Sequence, residues 1–209
     1  VGTDRSQLSH MAKRTKAALK ADKLEVVADR GYFKSEEILA CDKDGITVTL
    51  PKPQTSGIKA KGRFGKQDFV YIAQDDVYRC PAGERLVWRF TNREKDLTLH
   101  RYWTTACHTC AIKDQCTTDK QRRITRWEHE HVLEAVQRRL DEHPEKMRQR
   151  RETVEHPFGT IKSWMGHTHF QMKSLKRVGT EMALHVLAYN LKRVINIIGI
   201  APLIAAMRA

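Results

Sequence analysis

One acidic residue, Glu155, is flanked by two basic residues at helical spacing. Arg151 lies four residues before it and Lys162 seven after it, so on an α-helix the three side chains project in similar directions. A carboxylate there can bind a divalent cation while the flanking cations bind nucleic-acid phosphates. Pro157 lacks a backbone N–H, so Glu155 is expected either just before a helix that begins near Pro157 or at a kink in a longer helix. The spacing suits metal-assisted phosphoryl transfer, and a solvated charged helix is the alternative.

A second acidic residue, Asp29, directly follows a short apolar segment. Residues 24–28 are typical of a buried strand, and ligands of open α/β sheets bind at the carboxyl ends of the strands. Asp29 is therefore well placed for chemistry. The alternative is a turn or helix-capping aspartate, because Gly31 follows two residues later.

Cysteines form a separate candidate site. Four of the five have the spacing Cys-x26-Cys-x2-Cys-x5-Cys, and they are Cys80, Cys107, Cys110 and Cys116. Four thiolates with a Cys-x2-Cys pair and a Pro-Ala-Gly turn nearby suit a tetrahedral structural Zn²⁺. An iron–sulfur cluster, a redox pair and four unligated thiols remain alternatives. The fifth, Cys41, is expected in a hydrophobic core.

The charge balance points to a polyanionic partner. The 209 residues include 38 Lys and Arg against 25 Asp and Glu, a net charge of +13, which favours nucleic acid. The apolar tail at residues 194–207 is interrupted by Asn196, Gly199 and Pro202, so it is predicted to be a core helix and not a membrane span.

The elements that must position these residues fall into three predicted regions. Residues 1–54 contain helices at 7–22 and 35–41 and buried strands at 24–28 and 46–50, which predicts an α/β fold with parallel strands. Residues 55–125 are predicted to be a β-rich insertion that contains the four clustered cysteines, with antiparallel strands at 68–78 and 84–91. Residues 126–209 are predicted to be helical at 127–140, 144–165 and 178–198, and the last of these helices is expected in the core. Six basic residues are expected to present a cationic surface near Glu155: Arg138, Arg139, Lys146, Arg148, Arg150 and Arg151.

Four segments, in this order, resemble a bacterial insertion-sequence transposase of the DDE type. They are VVADRGY at 26–32, the cysteine-rich region, Arg151-x3-Glu155-x6-Lys162, and LAYNLKR at 187–193. The resemblance implies a partial RNase H-like fold, with two strands and packed helices, interrupted by the β-rich insertion. It also implies two Asp and one Glu that hold two divalent cations, usually Mg²⁺ and otherwise Mn²⁺, for DNA strand cleavage and transfer.

By this resemblance Asp29 is the second metal-binding acid and Glu155 the third. Arg151 and Lys162 match the Arg and Lys of the family's Tyr-x2-Arg-x3-Glu-x6-Lys signature, while Arg148 stands at the Tyr position. We expect these three basic residues to bind DNA phosphates.

The first acid of the resemblance is missing from the sequence. Asp4 is the only acidic residue before the first predicted helix, and its surroundings are turn-like, so the first catalytic strand is expected upstream of Val1. The chain is then the C-terminal part of an enzyme that binds transposon ends as a homo-oligomer in the bacterial cytoplasm, and it is inactive alone. The alternative is a non-enzymatic, zinc-containing DNA-binding remnant or regulatory fragment.

Overall fold

The computed structural model describes residues 4–53, 57, 59–166 and 168–208. The chain divides between His143 and Pro144 into two compact units. The predicted boundary between residues 54 and 55 lies outside the described residues.

The first unit begins with an α/β layer. Helix α1 (Leu8–Leu19), strand β1 (Leu24–Val27), helix α2 (Ser35–Lys43) and strand β2 (Ile46–Thr49) follow in order. The strands pair in parallel, with Val26 opposite Val48, because each is a short apolar run that a helix connects to the next. The predicted α/β arrangement with parallel strands is confirmed.

A five-stranded antiparallel sheet follows. Its strands, β3 (Val70–Ile72), β4 (Val77–Arg79), β5 (Arg85–Glu94), β6 (Leu97–Trp103) and β7 (Ile124–Trp127), are neighbours in chain order. The strand predicted at 68–78 was wrong in extent, because a turn with Asp76 at φ +49° divides it into β3 and β4.

Helix α3 (Glu130–Glu142) ends the first unit. The prediction that this helix begins at Trp127 was wrong, because Trp127 pairs with Leu99 in the sheet. The first hydrophobic core contains buried residues from α1, α2, β2, β7 and α3, among them Leu8, Ile38, Val48, Trp127 and Val136. Cys41 is fully buried in it, as predicted, and burial raises the pKa of its thiol to about 11.

A second hydrophobic core is formed by residues on or beside the strands of the antiparallel sheet. Its buried members are Phe69, Tyr78, Leu86, Tyr102 and Ile124. The rings of Tyr78 and Tyr102 meet edge to face, with centroids 5.2 Å apart, and the Tyr102 hydroxyl donates to Asp76 Oδ1 at 2.6 Å. The cysteine-rich region therefore has a core of its own.

The second unit is helical. Helix α4 (Glu145–Gly159) runs into a π-helical turn at Thr160–Trp164, and helices α5 (Leu175–Ile198) and α6 (Ile200–Arg208) follow. The expectation that α5 is a core helix was wrong, because Leu184 and Leu187 on it are 60% and 63% exposed. No single helix among the described residues is long and apolar enough to cross a bilayer; α5 and α6 meet that test only together, across a 109° bend.

Candidate active site and cysteine cavity

Asp29 lies at the carboxyl end of the parallel strand pair. It directly follows β1. Just before it, Ala28 N–H donates a hydrogen bond to the Thr49 carbonyl at the end of β2, at 3.0 Å. Oδ1 of Asp29 accepts a hydrogen bond from Gly31 N–H at 2.8 Å and caps a 3-10 turn at Arg30–Tyr32. The turn aspartate considered as the alternative is thus present in the structure. It is compatible with a site at the strand end, because an ionised carboxylate can accept several interactions at once.

Position 31 has no room for a side chain. A Cβ atom at residue 31 would lie 2.9 Å from Asp29 Oδ1, a distance that forces one of the two groups to move. Glycine therefore lets the backbone N–H approach the carboxylate closely and fixes the orientation of the Asp29 side chain.

Glu155 is exposed on α4, and the helix continues through Pro157 to Gly159. Glu155 therefore lies inside a longer helix that contains Pro157, and not just before a helix that begins near Pro157. The chain then enters the π-helical turn, in which Met165 N–H bonds to the Thr160 carbonyl at 3.1 Å. A wider turn rotates less per residue than an α-helix. Lys162 is therefore displaced from the direction that seven purely α-helical residues would give it.

The predicted phosphate-binding residues differ in their surroundings. Arg148 pairs with Glu152 one turn along α4, with Nε 3.7 Å from Oε1. Arg151, Glu155 and Lys162 are exposed, and among the described residues none of them forms an ion pair. Their charges remain available to a ligand, whereas that of Arg148 is partly compensated.

Arg139 does not fit the expected cationic surface. Its side chain is half-buried, and its Nε and Nη2 donate to the Val48 carbonyl at 3.2 and 2.8 Å. It joins α3 to the end of β2, so its role in this unit is structural.

Residues next to Glu155, for which the sequence predicted no role, connect α4 to α5. His156 Nδ1 lies 3.4 Å from the hydroxyl of Tyr189, which is buried and also accepts from Arg193 at 3.2 Å. A groove of about 590 Å³ runs beside them, lined by His156, Gly159, Thr160, Ser163, Trp164, Lys192 and Asn196. The available signal was the LAYNLKR segment, which contains Tyr189, Lys192 and Arg193.

The two predicted catalytic acids belong to different compact units, Asp29 to the first and Glu155 to the second. Each is a carboxylate, the ligand type that Mg²⁺ and Mn²⁺ prefer. No group of three or more His, Cys, Asp or Glu side chains close enough to hold a metal ion occurs in the part of the chain that the structure describes.

The four cysteines predicted to bind zinc line one cavity. All four are free thiols, all are half-buried, and together with apolar residues they enclose about 30 Å³. Burial raises the pKa of Cys116; Arg122 opposes this shift, and the other three thiols add to it. The thiols thus converge, although they are not gathered into a coordination sphere.

The turn beside the cavity has the predicted form. Gly83 N–H bonds to the Cys80 carbonyl at 2.9 Å, and Gly83 has φ +88°. Glycine is favoured at such an angle, so the Pro-Ala-Gly turn directs Cys80 toward the cavity from the end of β4.

One family model matches the chain. It is described as a transposase DDE domain and covers residues 79–195. The match includes all four cavity cysteines and the Arg151–Glu155–Lys162 motif, whereas Asp29 lies before it. The chain has no significant match among curated proteins or solved structures.

Proposed function

Because the chain belongs to the family of transposase DDE domains, we propose that it is the C-terminal part of a bacterial insertion-sequence transposase that cuts and joins DNA at transposon ends. The observation that carries this proposal is the family match across residues 79–195, within which Glu155 lies exposed on a basic helix. The net charge of +13 supports DNA as the substrate.

Asp29 and Glu155 are proposed to hold the divalent cations. Cations held there would supply activation of the attacking oxygen and stabilisation of the leaving oxygen of the phosphodiester. The hydrogen bond from Gly31 N–H orients the Asp29 carboxylate before any cation arrives. Exposure of Glu155 gives the third acid access to both cation and substrate.

Arg151 and Lys162 are proposed to bind phosphates and to compensate charge that develops in the transition state. Arg148 has the weaker role, because Glu152 competes for its guanidinium. In duplex binding, Arg151→Ala or Lys162→Ala should each reduce the slope of log affinity against log salt by about 0.9. Arg148→Ala should change the slope less.

We further propose that a preceding segment supplies the first acid. Asp4 supports this, because it lies in a 3-10 turn before α1 and not on a strand. With only two carboxylates, most coordination positions of two Mg²⁺ ions would be filled by water, so the ions would be bound weakly. The 209-residue chain should therefore bind DNA without nicking it.

The decisive experiment extends the chain upstream along its own reading frame. The extended protein, acting as a homo-oligomer, should nick transposon-end DNA in Mg²⁺ or Mn²⁺. Asp29→Asn and Glu155→Gln should each abolish nicking while DNA binding persists. The matched control is Glu152→Gln, three residues before Glu155 on the same helix, which should stay active. Nicking that survives Glu155→Gln would refute the assignment.

For the cysteine cavity we propose a structural Zn²⁺ held by Cys80, Cys107, Cys110 and Cys116. Convergence of four free thiols on one cavity supports it. Cys107→Ser should release about one equivalent of metal, and hydrogen exchange at residues 55–125 should become faster, since structural zinc contributes folding free energy. The control is Cys41→Ala, which removes a buried thiol elsewhere and should leave the metal content unchanged. Neither zinc nor iron in protein purified without chelator would contradict the proposal.

A further inference from the structure

Four side chains that the proposed active site does not use lie around Trp103 of β6, two of them from β5 and one from the residue just before β7. They are Arg89, Phe90, Trp103 and Arg123, here called the Trp103 cluster. We propose that this cluster binds an unpaired stretch of DNA, with a base stacked on Phe90 and the adjacent phosphates bound by Arg89 and Arg123. The inference rests on the proposed function for its choice of DNA.

Strand pairing places the aromatic residues on one face of the sheet. Phe90 is opposite Arg101 across the hairpin of β5 and β6, and Trp103, two residues further along β6, shares the face of Arg101. The rings of Phe90 and Trp103 meet edge to face, with centroids 5.8 Å apart. A register shift between Trp88 and Phe90 interrupts the ladder at Arg89, and such irregularities redirect side chains.

Two guanidinium groups lie against the same indole. The Cζ atoms of Arg89 and Arg123 are 5.6 and 5.3 Å from the centroid of the Trp103 ring, within the range of cation–π attraction. Arg89 Nε also donates to the Trp103 carbonyl at 3.3 Å. The indole thus holds both cations in place before a ligand binds.

Neither guanidinium is neutralised by an acid. Among the described residues, Arg89 and Arg123 have no carboxylate partner within ion-pair distance. Other arginines of the hairpin do: Arg85 pairs with Asp75, Arg93 with Asp96 and Arg101 with Glu94. Two uncompensated guanidiniums against one indole suit phosphates of a strand that passes over it, since Arg binds phosphate through several N–H groups.

The exposed ring decides which form of DNA fits. Phe90 is 44% exposed, so one part of its ring contacts Trp103 and another is open to a ligand. Bases inside a duplex stack on each other, whereas bases of an unpaired strand can stack on aromatic side chains. The combination of an open ring and uncompensated cations is therefore typical of single-strand binding.

The test uses the 209-residue chain and a short oligothymidylate that carries one 2-aminopurine, whose fluorescence is quenched on stacking. Phe90→Ala should weaken binding about tenfold and abolish the quenching, and Phe90→Tyr should restore both. Arg89→Ala with Arg123→Ala should lower the salt slope by about 1.4, which corresponds to two single-strand phosphate contacts.

The control is Arg85→Ala with Arg93→Ala, which removes the same charge from arginines that already have acid partners. Circular dichroism verifies that each variant is folded. The inference is overturned if Phe90→Ala keeps normal quenching, if the control weakens binding as much as the cluster variant, or if the oligonucleotide does not bind.

Failure of the inference can be told apart from failure of the proposed function. If Glu155-dependent nicking by the extended protein is observed while Phe90→Ala binds the oligonucleotide normally, only the cluster assignment fails. If nicking is absent but quenching depends on Phe90, the transposase mechanism fails and the strand-binding site stands.

Discussion

The two compact units, each with one proposed catalytic acid, are held together in different ways. The first contains two hydrophobic cores with many buried side chains from helices and strands. In the second, among the residues whose side chains are described, Ile161, Glu181 and Tyr189 are buried. Asp29 is therefore oriented by a packed scaffold, whereas Glu155 is carried by helices that few interior contacts join.

Hydrogen bonds of buried side chains connect the segments of the second unit. The buried Glu181 carboxylate accepts from the backbone N–H groups of Gln171 and Met172 at 2.8 and 2.9 Å, which attaches the segment before α5 to that helix. Tyr189 connects α5 to His156 on α4. We conclude that the surroundings of Glu155 depend mainly on individual polar contacts, whereas those of Asp29 depend mainly on packed side chains.

The largest expected effect is a core truncation in the first unit. Leu86 is 1% exposed in the core of the sheet, so Leu86→Ala should reduce the free energy of unfolding by about 2–5 kcal/mol. The counterpart in the second unit is Leu187→Ala at a position that is 63% exposed, and it should change stability by less than about 0.5 kcal/mol. Urea unfolding of both variants checks the contrast, and equal losses would contradict it.

An intermediate effect is expected at Glu130. This carboxylate is 7% exposed, accepts from Trp127 N–H at 3.1 Å and pairs with Lys66 at 2.6 Å. Glu130→Gln should cost about 1.5–3 kcal/mol at neutral pH, because bonds to a charged group are lost.

The cost should depend on pH. Burial alone raises the pKa of Glu130, but Lys66, the Trp127 N–H and Lys52 outweigh it, so the pKa is lowered from 4.5. The pKa of Lys66 is also lowered, because burial outweighs the attraction of Glu130. Folding therefore favours the charged form of Glu130 but disfavours the charged form of Lys66. A lowered acid pKa gives stability that is present above pH 4.5 and lost as the pH falls through the folded value. The difference between wild type and Glu130→Gln should shrink as the pH falls below 4.5, and a constant difference would count against this account.

The smallest effect is expected in the second unit. Tyr189→Phe removes the hydroxyl that contacts His156 and Arg193, and the local cost should be about 0.5–1.5 kcal/mol. Amide exchange in α4 should accelerate while exchange in the five-stranded sheet stays unchanged. Asn190→Ala, at the exposed neighbouring position, is the control and should leave both rates unaltered.

Sequence patterns predicted the elements that are short apolar runs joined by helices. Strands β1 and β2 are short apolar runs, and their parallel pairing was confirmed. Strand β7 was not predicted, and its last residue, Trp127, was assigned to a helix at 127–140. In the structure Arg126 is buried, stacks over Tyr71 at 3.6 Å and pairs with Glu134 on α3, a partnership that strand periodicity does not reveal.

The positions of the candidate site residues were only partly predictable from the sequence. Position after a strand placed Asp29 correctly at the carboxyl end of β1. The alignment of Glu155 with Lys162 assumed one uninterrupted α-helix, but Thr160–Trp164 forms a π-helical turn. Contacts such as that between His156 and Tyr189 join residues 33 positions apart, and local spacing carries no information on them.

Two features at the end of α4 interrupt its regular helical geometry. Pro157 cannot donate the bond that the Thr153 carbonyl normally accepts, and the widened turn follows three residues later. Both are recognised causes of helix bending; Pro157 lies between Glu155 and Lys162, and Lys162 lies within the widened turn. Pro157 and the widened turn therefore form a point at which the chain can bend beyond Glu155. A bend at this point would change the position of Lys162 relative to Glu155 without unwinding the part of α4 that carries Glu155.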